Sequence, residues 1–132
     1  MNIGKAAEQS GVTTKMIRYY EDIGLVPKSA RSGSGYRNYG EPDVYKLRFV
    51  RRARDLGFPI ERIRELLKLW SDDTRSSHDV KTIALAHVAA LDADIHKLTE
   101  LRNTVRDLAG KCHGDDKPEC PIIERLGGMR GR

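Results

Sequence analysis

Residues 12–39 read VTTKMIRYYEDIGLVPKSARSGSGYRNY, and this stretch decides the fold. Thr13 and Thr14 are both good helix caps. From there to about Ile23 the apolar residues Met16, Ile17, Tyr20 and Ile23 share one helical face, and Gly24 ends the run. Lys15, Arg18 and Tyr19 are left mostly on the outer side. Upstream, residues 3–9 suit a short helix capped by Asn2, with Ile3, Ala6 and Ala7 facing inward. Gly11 supplies the left-handed backbone that a tight turn requires, and Val12 plugs the turn from beneath. Two short helices about a glycine turn predict a helix-turn-helix. Behind it, Val26-Pro27-Lys28 leaves in extended form, and RSGSGYRNY over residues 31–39 predicts a β-hairpin with a Gly/Ser turn and flanks of Arg and Tyr. A hairpin in that place is a wing.

Downstream, Pro42 suits the first turn of a third helix reaching about Leu56, with Gly57 at its end. Val44, Leu47, Val50 and Ala53 form its apolar face. Arg48, Arg51, Arg52 and Arg54 fill much of the rest, either as a second phosphate-contacting surface or as a solvated face. A fourth helix begins at Pro59 and carries Ile60, Ile63, Leu66, Leu67 and Trp70. After a polar turn over residues 71–78 comes one long helix over residues 79–109. Its seam is Ala84, Val88, Leu91, Ile95, Leu98, Leu101, Val105 and Leu108, close to a heptad repeat with one irregular step. No other helix of this chain is long enough to cover that seam, which predicts a homodimer. A dimer holds two heads at a fixed separation and suits an inverted repeat in DNA. The expected fold is therefore all-α dominated. It comprises a winged helix-turn-helix over 1–70, a coiled-coil dimerisation helix over 79–109, and a metal-binding loop with a short terminal helix over 110–132.

Composition agrees with that division. At 132 residues the chain has room for one small domain and an extension, not for a large enzyme scaffold. Residues 1–69 hold 14 basic and 8 acidic side chains, a net +6, whereas residues 70–132 hold 10 and 11, a net −1. A basic first half fits a polyanion. All aromatic residues lie at or before Trp70, so the second half must bury its apolar face against a helix from elsewhere. In the wing, Arg31 and Arg37 offer guanidinium forks and Tyr36 and Tyr39 offer hydroxyl donors to a phosphate backbone. Nucleotide loops, catalytic triads and paired carboxylates are missing, which argues against an enzyme. No apolar run approaches a membrane span, and the start, MNIGKAAEQSG, is too polar for a signal peptide; a cytoplasmic protein is expected.

The second half carries its own chemistry in KCHGDDKPECPIIERL, residues 111–126, where Cys112 and Cys120 bracket seven residues. Pro121 opens a last short helix, so Cys120 sits at a helix N-terminus, which favours a thiolate. Two thiolates alone suit a soft monovalent ion in linear coordination. Zinc wants four ligands, and His113, Asp115, Asp116, Glu119 or a partner chain would have to complete them. A thiol–disulfide switch is a further reading of the same pair, as is a small thiol protein that buffers metal. The basic first 70 residues are superfluous to a buffer.

VTTKMIRYYEDIGLVPKSARSGSGYRNY, followed by LRFVRRARDLGFPIERIRELL over residues 47–67, resembles the MerR family of transcriptional regulators. The loop CHGDDKPECPII is similar to that of its copper-responsive subgroup, of CueR or HmrR type. The resemblance implies that Thr13, Lys15, Arg18, Tyr19 and Tyr20 belong to the recognition helix and Arg31, Tyr36, Arg37 and Tyr39 to the wing. Arg18 is the side chain best suited to pair with guanine in the major groove. It implies further that Cys112 and Cys120 are the metal thiolates. Ser77 stands where relatives sensing divalent metals have a third cysteine from the partner subunit, which favours copper(I), with silver(I) or gold(I) as close mimics. Lys81, one turn beyond, would offset the negative charge of the bis-thiolate centre. The implied partners are a second copy, double-stranded promoter DNA with an inverted repeat, and RNA polymerase holoenzyme. The implied mechanism is realignment of an overlong promoter spacer by the metal-bound protein, with Ile122, Ile123 and Leu126 of the last helix as the lever.

Overall fold

The computed structural model describes residues 1–28, 30–31 and 37–128. Asn2 starts the first helix, α1 (Ile3–Ser10), by accepting the Lys5 N–H at 2.9 Å. Gly11 ends it at φ +76°, its N–H bound to the Ala7 carbonyl. The buried Ser10 hydroxyl oxygen accepts the Val12 N–H across the turn, so a polar side chain holds together what Val12 seals with its apolar one. Thr13 then caps α2 (Thr14–Asp22) through the Met16 N–H at 3.2 Å. Gly24 turns the chain at φ +72° and delivers Leu25 and Val26 into the core.

The hairpin is short. β1 (Ala30–Arg31) pairs antiparallel with β2 (Arg37–Asn38), Ala30 opposite Asn38 and Arg31 opposite Arg37. The turn expected between them, with Tyr36, lies outside the described residues. Helix α3 (Glu41–Asp55) begins one residue before Pro42, because the Asp43 carboxylate accepts the Gly40 N–H at 2.9 Å and fixes the start. Its expected face is the buried one: Val44, Leu47, Val50 and Ala53 meet Ala6, Ile17, Tyr20 and Ile63 in one core. Gly57, at φ +84°, turns into α4 (Ile60–Trp70), and Phe49 of α3 stacks on Trp70 at 5.1 Å between ring centroids.

The long helix, α5 (Ser77–Lys111), has 35 residues, starting two residues earlier and ending two later than expected. The early start has a local cause, since the Ser76 hydroxyl accepts the Asp79 N–H. At about 1.5 Å per residue the helix is roughly 50 Å long. Its seam residues Val88, Leu91, Ile95, Leu98, Leu101 and Val105 are 40–64% exposed in the single chain, and only Leu108 of this helix is buried. A short α6 (Pro121–Leu126) closes the described chain. Two compact units result, Met1–Ala84 and Leu85–Arg132. Among the described residues no helix is long and apolar enough to cross a membrane.

Candidate nucleic-acid interface and thiol centre

The outward side of α2 is polar and cationic. Thr13, Lys15 and Arg18 are exposed, and Tyr19 is 47% exposed, its ring tilted against that of Tyr20 at 5.8 Å. Tyr20 itself is a core residue, 4% exposed, because it belongs to the inward stripe with Ile17. Tyr39 is likewise buried, and its hydroxyl donates to the Glu21 carboxylate at 3.1 Å. A proton given to a buried carboxylate is not on offer to a phosphate. Tyr20 thus lies on the inward face where the spacing put it, and the structure corrects the DNA-contacting role expected of Tyr20 and Tyr39: both are buried beneath the exposed residues. Arg31 and Arg37 occupy paired positions of β1 and β2.

Two of the α3 arginines have structural partners. Arg48 donates from Nε to the Gln9 carbonyl at 3.1 Å and lies 5.8 Å from the Tyr45 ring centroid, tying α3 to α1. The Arg51 guanidinium lies against Gly11, so closely that a Cβ there would collide with it. Arg52 and Arg54 are exposed. Sequence reasoning missed Glu21, whose charge gave no hint of burial, and Arg64. The Arg64 guanidinium donates to the Gly24 carbonyl at 2.9 Å and the Ile23 carbonyl at 3.1 Å. A signal for it existed: the last turn of α2 holds Glu21 and Asp22 and no base, so the carbonyl end of that helix needs a cation from elsewhere.

The two cysteines come together. Cys112 follows the last turn of α5, its N–H bound to the Ala109 carbonyl, and Cys120 is the residue that caps α6. Their sulfurs lie 3.5 Å apart, both thiols free and partly exposed. Gly114, at φ +67°, and the Asp115 carboxylate accepting the Lys117 N–H shape the loop between them. The Ile123 N–H is the main cause that holds the Cys120 thiol below its usual range, followed by the Cys112 side chain. The Ile122 N–H adds to them, while desolvation and the Glu124 carboxylate oppose. Among the described residues no group of three or more His, Cys, Asp and Glu side chains comes together. The donors that the described residues bring together here are these two sulfurs, soft ligands of the kind that suit a soft metal ion. Ile123 and Leu126 are 69% and 78% exposed on α6. Ser77 and Lys81 are exposed one turn apart at the start of α5, in the other compact unit, beside Asp73, Arg75 and Val80 around a surface hollow.

Comparison with known proteins agrees with this architecture. Residues 1–70 match the family described as MerR HTH family regulatory protein, and residues 44–108 match that described as MerR, DNA binding. The chain is 58% identical over 126 residues to heavy metal-dependent transcription regulator 2 of Rhizobium meliloti (strain 1021), covering 96% of this chain and 86% of that protein. It is 44% identical over 128 residues to the transcriptional regulator CueR of Escherichia coli O157:H7, covering 97% and 95%. Among solved structures, the transcription regulator PbrR691 from Ralstonia metallidurans CH34, in complex with lead(II), superposes with a TM-score of 0.82 at 30% identity, over 96% of this chain and 98% of that one. With a glycine-turned helix pair, a hairpin behind it and a long helix beyond, the chain belongs to the MerR family of helix-turn-helix transcriptional regulators, a family of DNA-binding proteins and not of enzymes.

Proposed function

We propose that this regulator senses a monovalent coinage metal, copper(I) first among them, and activates efflux or detoxification genes. The observation that carries the reading is the pair of free thiols 3.5 Å apart at the junction of α5 and α6. In this reading residues 1–70 bind DNA, residues 79–109 pair two copies, and residues 110–132 respond to metal. Thr13, Lys15, Arg18 and Tyr19, with Arg31, Tyr36 and Arg37 of the wing, face promoter DNA, and Arg18 reads a guanine edge. The names of the relatives, which speak of heavy metal and of CueR, support the metal response.

Cys112 and Cys120 would hold the ion, and when bound it would fix the distance between the end of α5 and the start of α6. The protein's own part is to present two sulfurs with one already biased towards thiolate by the backbone N–H groups of α6. Ser77, by lacking a thiol, would deny a third ligand to divalent ions, and Lys81 of the partner subunit would offset the residual negative charge. Ordering the loop would dock Ile122, Ile123 and Leu126 and favour one arrangement of the two heads. Only such a difference in affinity between two arrangements shifts their populations. RNA polymerase would then find an overlong promoter spacer realigned.

The same sulfur separation also favours a second reading, a thiol–disulfide switch in which oxidation closes the loop. In vitro transcription from an overlong-spacer promoter separates the two, with single metal ions added anaerobically under thiol reductant and with Cys112→Ser and Cys120→Ser alongside. Activation by copper(I), silver(I) or gold(I), but not by zinc or mercury, and silence of both variants is the expected result. Activation by zinc would overturn the role given to Ser77. Activation by an oxidant, with every metal inert, would establish the disulfide reading instead.

A further inference from the structure

The end of α2 is electrostatically awkward. Helix C-termini carry partial negative charge and favour a cation, yet the last turn of α2 holds Glu21 and Asp22 and no basic residue. Local backbone groups satisfy part of the end: the Ile23 N–H binds the Tyr19 carbonyl, the Gly24 N–H that of Glu21, and the Leu25 and Val26 N–H groups share that of Tyr20. The carbonyls of Ile23 and Gly24, just past the helix, take the Arg64 guanidinium, at 3.1 and 2.9 Å. Arg64 stands forty residues on, in α4. Its side chain is only 28% exposed, and its Nε lies 3.6 Å from a Glu61 carboxylate oxygen one turn back. Gly24, at φ +72°, turns the chain so that both carbonyls face one guanidinium.

We propose that Arg64 is a positioning residue for DNA recognition: it caps α2 from α4 and sets the angle at which α2 is presented. The inference rests on the reading of α2 as the helix that enters the major groove. A planar fork with two donors on two successive carbonyls constrains direction as well as distance, which a lysine ammonium does not. Without it the last turn of α2 loses one of its anchors, leaving the buried Ile17, Tyr20 and Glu21 to hold it, and base contacts suffer from misplacement far more than phosphate contacts do. The link also makes any displacement of α4 a displacement of α2.

The test uses the full chain and an operator duplex selected by that chain from a random library. Equilibrium binding is measured to the selected duplex and to a scrambled one, each over a range of salt. Arg64→Met is expected to lower the operator-to-scrambled affinity ratio about tenfold, the scale of one or two charge-assisted hydrogen bonds. The slope of log affinity against log salt stays unchanged, because no phosphate contact is lost. Arg64→Lys, which keeps the charge and loses the fork, is expected to fall about threefold. A purely structural role would instead lower the melting temperature of Arg64→Met and leave the ratio intact at temperatures where the variant is folded, and that result overturns the inference. Should Arg64→Met not fold, Arg64→Lys decides alone, an unchanged ratio being fatal. Arg18→Ala is the control. If it keeps the operator preference, the reading of α2 fails and takes the inference with it; if it loses the preference while Arg64→Met retains it, only the role of Arg64 fails.

Discussion

Tyr39 and Glu21 illustrate how much a single buried hydrogen bond decides. The Tyr39 hydroxyl is one partner of a carboxylate that is 3% exposed. Removing that hydroxyl in Tyr39→Phe keeps the packing and takes a donor from a buried acceptor. A loss of roughly 1–3 kcal/mol in chemical unfolding is expected. Glu21→Gln retains an acceptor and should lose less. Cys120 makes the corresponding case for titration. Its thiol is held below the usual range, chiefly by the Ile123 N–H, so the thiolate persists on acidification until the pH falls through that lowered value. Alkylation of Cys120 in Cys112→Ser by iodoacetamide should therefore outpace that of an unstructured cysteine peptide at neutral pH. The Glu124 carboxylate opposes the thiolate, so Glu124→Gln should move the midpoint of the rate profile further down. A profile that moves up would overturn this account of the α6 terminus.

At the scale of elements, most of what forms was readable from the residues, and the failures have causes. The starts of α1 and α2 follow from Asn2 and Thr13 as caps, and their ends from Gly11 and Gly24 at positive φ. The inner face of α3 emerges unchanged because its three-residue spacing leaves no other way to bury four apolar side chains together. Where the expectation slipped, a side chain next to the boundary made a bond that spacing does not reveal, as Asp43 does for α3 and Ser76 for α5. The thiol pair was legible because two cysteines on one short loop have few places to go. Tyr20 was legible as part of the inward face of α2, whereas Tyr39 was not, since an alternation of Arg and Tyr reads equally as surface and as core until the neighbours are known. Arg64 shows the limit from the other side, because its partners are backbone carbonyls and carry no residue identity. Ile63, fully buried in the core that α4 shares with α3 and the helix pair, tests the core itself: Ile63→Ala should cost about 2–5 kcal/mol in chemical unfolding without altering metal binding.

For the molecule as a whole, the long apolar seam on α5 is the feature that a single chain leaves unexplained. Six large side chains at 40–64% exposure along one helix form a surface that a second copy of the same helix would cover. Ile95→Asp together with Leu98→Asp should convert the protein to a monomer in sedimentation equilibrium and abolish binding to an inverted repeat, leaving the helical content of α1 to α4 intact. A dimer that survives both substitutions would mean that the seam serves another partner. A further expectation at this scale is that Ile122→Asp still binds metal and DNA but fails to activate transcription. Normal activation by that variant would remove α6 as the lever. The continuity of α5 through both compact units has one more outcome, for evolution. Each residue added to a helix turns everything beyond it by about 100° and shifts it by about 1.5 Å. Descendants of this chain can lengthen or shorten α5 only by whole heptads if the seam is to stay in line. The loop between the cysteines is free of that arithmetic, so variation in length should collect there, and the reach between the sulfurs can drift while the helix keeps its measure.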